Sequence, residues 1–178
     1  MKYHIPLLML VLSLKILGCS NAGSTASIPA VNNFELGRYL GKWYEIARLP
    51  HSFERDMKDV YAEYGLREDG KISVINSGWR DGKKSVANGV AHPKNDPHTG
   101  ELRVSFFRPF YGDYRIVWLE PDYSAAIVTG ATTDYLWILA RSPQIEQEQL
   151  NRYLEKITKW GFEVSKIEFP WTGKYEGI

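Results

Sequence analysis

The 178-residue chain has a single cysteine, Cys19. One thiol forms no internal disulfide, no Cys-based zinc site and no iron–sulfur cluster, so packing and hydrogen bonding must hold the fold. Charge of one sign is also missing. Against 22 Lys and Arg stand 21 Asp and Glu, a formal net charge of +1, which leaves none of the basic excess that marks a nucleic-acid surface. Long hydrophobic runs are absent too: the apolar stretch over 5–14 ends at Lys15, short of the about 20 residues a membrane-crossing helix needs. The chain contains no Gly-x-Ser-x-Gly, no His-Glu-x-x-His and no phosphate-cradling glycine loop, the motifs that carry hydrolytic or nucleotide chemistry. His51 beside Ser52 has no assigned orienting acid, and His92, His98 and Asp96 lack the spacing of a metal site. These absences set the expectation of a binding protein, not an enzyme, with no cofactor and no metal.

The front end is an address. Met1-Lys2, the apolar stretch and a small residue before the cut are the parts of a secretory signal. Ile16-Leu17-Gly18-Cys19 resembles the bacterial lipobox, in which the cysteine becomes the lipidated first residue. Residues 1–18 therefore read as a lipoprotein signal peptide, 19–33 as a lipidated flexible tether rich in Ser, Ala, Asn and Gly, and 34–178 as the folded domain. Loss of Lys2 and Lys15 with the signal takes the formal charge from +1 to −1. Ser20, in place of Asp, after the cysteine resembles the sorting signal for the outer membrane of Gram-negative bacteria, with the protein lipid-anchored at its periplasmic face.

From 41 to 141 the chain breaks into eight β-branched and aromatic runs, at 43–49, 60–67, 71–79, 85–92, 101–107, 114–120, 125–129 and 135–141. Turn chemistry such as Glu68-Asp69-Gly70 and Asp81-Gly82 separates them, so neighbours should pair as antiparallel hairpins. Leu102, Val104 and Phe106 alternate with Arg103 and Ser105, whereas 116–119 and 135–140 are apolar on both faces and need cover outside the barrel. A helix supplies it: Ser142 as N-cap, Pro143 in the first turn, Leu150, Tyr153, Leu154 and Ile157 on one face, Gly161 at the close. A run over 162–167 reads as an edge strand.

Eight hairpin-linked strands followed by one helix is the order of a lipocalin, and three motifs make the likeness specific. Gly41-Lys42-Trp43 resembles the family's Gly-x-Trp on the first strand; Glu120-Pro121-Asp122-Tyr123 partly matches its Thr-Asp-Tyr turn; Arg141 ends the eighth strand where the family's arginine stacks on the tryptophan. Thr132-Thr133-Asp134-Tyr135 is a closer literal match, but strand counting puts it at the opposite end of the barrel. The resemblance implies an all-β fold, an eight-stranded antiparallel up-and-down β-barrel with one C-terminal helix outside, and a structural role for Gly41, Trp43, Asp122, Tyr123 and Arg141. Within the family the chain looks like the bacterial outer-membrane lipoprotein lipocalins, which implies a fatty acid or lysophospholipid ligand and a membrane partner reached through acylated Cys19; a homodimer stays open.

A barrel of this size holds one small ligand. Burying a chain of about 16 carbons is worth at most roughly 12 kcal/mol before association costs. Tyr64, Trp79, Phe106, Tyr114, Trp118 and Trp137 are the candidate cavity walls. The loops 50–59, 80–84, 108–113 and 130–134 should form the open mouth, with Arg80, Lys84 and Arg108 at the rim facing an anionic head group. The alternative is a lipid-anchored interaction module with a filled barrel and a protein partner. A hollow interior separates the two.

Overall fold

The computed structural model describes residues 22–173. A short helix α1 (Leu36–Tyr39) leads into strands β1 (Gly41–Arg48), β2 (Lys58–Leu66), β3 (Ile72–Arg80), β4 (Lys83–Pro93), β5 (Glu101–Phe107), β6 (Phe110–Leu119), β7 (Ala125–Thr129) and β8 (Leu136–Ala140), then helix α2 (Gln147–Lys159). Each strand pairs antiparallel with the next, and β8 closes on β1. Full closure removes the unpaired sheet edges.

The hairpins follow from their turns. Asp81 and Gly82 both have positive φ, 52° and 75°, the backbone of a two-residue type I′ turn whose twist matches the flanking strands, and Arg80 pairs with Lys83 across it. Gly70, at φ 75°, closes the longer β2–β3 turn, where Arg67 N–H donates to Lys71 O at 2.9 Å.

Two apolar layers result. Inside lie Trp43, Ala62, Tyr64, Ile72, Val74, Ala91, Leu102, Ile116 and Leu139. Outside, Ile46, Val117, Ile127 and Ile138 meet Tyr153 and Ile157 of α2. Two bulges let both faces of one strand be apolar. In β1 the register shifts between Glu45 and Ala47, so Ile46 and Ala47 both turn outward while Glu45 and Arg48 line up with Leu139 and Trp137. In β6 it shifts between Ile116 and Trp118.

Helix α2 starts later than its sequence suggests. Glu146 occupies the N-cap without a side-chain cap bond, and Ser142 lies outside the helix. Its anchor is instead the Tyr153 hydroxyl, 2.7 Å from Glu120 Oε1. Residues 162–167 form no edge strand: they hold a 3-10 turn, Val164–Lys166. The pairing comes just after it, where Glu168 bridges Arg48 and Pro170 O accepts from Asp59 N–H, so the C-terminal segment fills the gap between β1 and β2 at one end of the barrel.

The segment expected as a flexible tether is laid on the barrel from Gly23 onward. Thr25 N–H donates to Ala131 O at 3.0 Å, and Val31 N–H to Ile116 O at 2.9 Å. The Arg115 guanidinium holds Thr25 O and Ile28 O. Ile28 is buried in the outer layer, an apolar contact that a composition of small polar residues hides.

Candidate functional site: a barrel with one plugged and one open end

At the plugged end Trp43 is fully buried, and its indole N–H donates to Tyr39 O at 2.7 Å. The Arg141 guanidinium lies 4.0 Å over the ring and donates to Lys42 O and Arg38 O, each at 2.8 Å. Gly41 has φ 93°, a left-handed backbone that favours glycine, and a Cβ there would only touch Arg141 Nη1 at 3.4 Å. Tyr123 OH accepts from Glu35 N–H at 2.9 Å, and Ser124 N–H donates to Asp122 Oδ1 at 3.0 Å. The hydroxyl and amide of Ser124 hold the Asp122 carboxyl below its ordinary range. Gly41, Trp43, Tyr123 and Arg141 meet at this end, while exposed Asp122 orders the turn beside them through Ser124. Thr133, from the closer literal match, sits at the other end, where it bonds Gly23.

Above the plug, Tyr39, Tyr114 and Tyr64 form a hydroxyl chain, with O···O distances of 2.7 and 2.9 Å. Burial raises the pKa of all three, so they stay neutral. Three hydroxyl protons serve two contacts, which leaves one O–H to donate elsewhere.

Over the β1–β2 side of the mouth a loop folds inward through the 3-10 turn Ser52–Glu54. Glu54 is buried and accepts from Trp137 Nε1 at 3.2 Å. His51 Nε2 lies 3.1 Å from Glu54 Oε2, a contact too bent for a well-formed hydrogen bond. Arg48 Nη1 meets Glu45 Oε1 at 2.8 Å and Nη2 donates to Met57 O. The two carboxyls diverge. Burial and the nearby Glu54 charge raise Glu45 well above its ordinary pKa despite Arg48. Burial alone would raise Glu54 as well, but the close His51 imidazole, then the Trp137 N–H and the Arg48 charge, bring it below its ordinary value. This buried ionic latch escaped sequence reasoning; the polar letters of Glu45 and Arg48 inside an apolar strand were its only trace.

The other side of the mouth is open. Two and four residues on from buried Val74, parity puts Asn76 and Gly78 inside, and Asn76 pairs with Ala87. Val104 and Tyr114 pack on the interior cluster yet remain partly exposed. Phe106 follows in the same phase, its ring 2.9 Å from where a Cβ on Gly89 would stand, and is 42% exposed. Asn76 Oδ1 is buried with no hydrogen-bond partner among the described residues.

Of the six candidate wall residues, the structure brings Tyr64, Tyr114 and Trp137 into the interior cluster and puts Phe106 at its mouth. Two are corrected. Trp118 packs in the outer layer beneath Lys156, whose ammonium is 3.6 Å from the ring centre; the β6 bulge turns it out of phase with Tyr114 and Ile116. Trp79 stands on the outer wall beside Tyr61, with Lys84 Nζ 5.4 Å from its ring, because Ile72 and Val74 inside fix the opposite parity for position 79.

The rim candidates divide likewise. Arg80 is taken up by the carbonyls of Arg55 and Phe53, at 3.0 and 3.3 Å, and bolts the inward loop to the β3–β4 turn. Lys84 lies on the outer face over Trp79 and Tyr61, not over the cavity. Arg108 is exposed at the β5–β6 turn. Cys19 lies outside the described residues. Among those residues no group of three or more His, Cys, Asp or Glu gathers that could hold a metal, and no helix is long and apolar enough to cross a membrane.

Comparison with known proteins agrees with this geometry. A family model described as a lipocalin-like domain matches residues 34–172. The outer membrane lipoprotein Blc of Citrobacter freundii is 45% identical over 154 residues, covering 85% of this chain and 87% of that protein. The protein of the same name from Vibrio cholerae is 43% identical over 162 residues, covering 89% and 94%. Insecticyanin from the tobacco hornworm Manduca sexta superposes with a TM-score of 0.70 at 23% identity, covering 85% and 88%, a likeness of fold. The chain thus belongs to the lipocalin-like family, among its bacterial outer-membrane lipoproteins.

Proposed function

We propose that this lipoprotein is a carrier, not an enzyme: it holds a fatty acid or lysophospholipid in the open half of its barrel and serves storage, transport or repair of envelope lipid. The observation that carries the reading is the solvent-reachable apolar wall of Phe106, Val104 and Tyr114 on the inward face. A filled barrel would bury that face. An acyl chain replaces water against it, at roughly 0.8 kcal/mol per methylene buried. The spare O–H of the tyrosine chain and the unpartnered Asn76 oxygen supply one donor and one acceptor for a polar head. The membrane is reached through acyl chains on Cys19, and several chains grip far more firmly than one.

Native mass spectrometry on the chain expressed without residues 1–19 and purified without detergent tests the reading. One fatty acid or lysophospholipid per barrel supports it. An empty barrel that also ignores added lipid refutes it and favours an interaction module.

A further inference from the structure

Three separate features converge on the open end. The first is exposed aromatic surface. Phe53 on the inward loop is 54% exposed, and Phe107 and Phe110 at the β5–β6 turn are 76% and 71% exposed, the latter two stacked with ring centres 6.3 Å apart. Gathered exposed apolar groups mark a docking surface. The second is charge. Lys83 flanks the β3–β4 turn and Arg108 lies between the two phenylalanines, both exposed, and Lys84 follows on the outer wall. The third is the course of the chain. Gly23 N–H donates to Thr133 Oγ1 and Thr133 N–H returns to Gly23 O, each at 2.9 Å, and Ser24 bridges Thr132. The N-terminal segment therefore leaves the barrel at the β7–β8 loop, beside the mouth. Only residues 20–22 separate that point from Cys19, a reach of about 14 Å at full extension.

From these we infer that the barrel docks mouth-down on an anionic phospholipid surface, with Phe53, Phe107 and Phe110 in the interface and Lys83, Lys84 and Arg108 among the head groups. The inference rests on the lipid-anchored reading of Cys19 and deepens the carrier function. An anchor tied this close to the rim holds that rim at the surface, so an acyl chain passes between bilayer and barrel without crossing water. Apolar side chains bury in the head-group boundary while basic ones stay at its polar edge, each basic group adding roughly fivefold to partitioning on an anionic surface.

The test uses the full acylated chain in vesicles of phosphatidylethanolamine with phosphatidylglycerol. A fluorophore is placed at Phe107→Cys in one preparation and at Asp122→Cys, on the plugged end, in another; quenching by nitroxide-bearing lipids is read for each, and fatty-acid binding is titrated in parallel. Both positions are exposed, so labelling spares the core. The expected result is strong quenching at 107 and little at 122, weakened by Lys83→Glu with Arg108→Glu and weaker on pure phosphatidylcholine. Equal quenching at both positions, or more at 122, overturns the docking even if fatty acid binds and the carrier reading stands. Quenching confined to 107 without fatty-acid binding upholds the docking and removes the carrier reading. An unquenched 107 label that reports contact with a second copy overturns the inference in favour of a dimer face.

Discussion

Replacing Arg141 with alanine should cost stability and leave lipid affinity alone. The guanidinium contributes a cation–π contact 4.0 Å from the Trp43 ring and two 2.8 Å hydrogen bonds to carbonyls. A cation–π contact is worth about 0.5–2 kcal/mol, and hydrogen bonds from a charged donor about 1.5–3 kcal/mol when desolvated. Arg141 is only part-buried, so water replaces part of what is lost, and a total of about 2–4 kcal/mol follows. For a domain of this size that lowers Tm by roughly 5–15 °C. The assay is urea unfolding of the wild type and Arg141→Ala, with fatty-acid titration of both under folding conditions. A loss below about 1 kcal/mol would show that the plug is not held by this residue. A large fall in affinity at intact fold would show that the closed end belongs to the binding site, contrary to the geometry.

The same separation of faces predicts that Trp118→Ala destabilises by about 3 kcal/mol, by emptying the seam between β6 and α2, while ligand affinity is unchanged; matched urea and binding titrations check it, and a binding loss would put Trp118 back in the cavity. The Glu54 latch gives a pH dependence. Its folded-state pKa is depressed, so its contribution is present above the ordinary carboxylate range and is lost as pH falls through the folded value. The Trp137 indole N–H resonance, bonded to Glu54, should therefore shift only below the ordinary carboxylate range and show no such step in Glu54→Gln; a midpoint within or above that range contradicts the assignment.

The barrel was legible because its signals are local and redundant: period-two alternation, turn residues with positive φ such as Asp81-Gly82, and an apolar helix face each point to the same topology. The plug was legible as well, since Trp43 and Arg141 meet in one contact and Gly41 carries the positive φ that leads into it. Side-chain direction was not. A bulge of one residue sends every later side chain to the other face, and the bulge in β6 carries no marker in the letters around Val117, so Trp118 reads as cavity wall until the register is seen. Trp79 drew the same expectation from its size alone. The latch of Glu45, Arg48, Glu54 and His51 joins β1 to a loop by long side chains, and the attachment of residues 23–31 depends on Arg115 far along the chain; spacing along a sequence records neither.

The central claim is that the inward face between β3 and β6 is the ligand cavity, and Ala87→Trp addresses it most directly. Ala87 faces inward opposite Asn76 yet is exposed, so an indole there fills the opening without displacing core. Calorimetric titration with a 16-carbon fatty acid should show one site per chain in the wild type and little or no binding in Ala87→Trp of unchanged stability. Equal binding by both proteins would contradict the account.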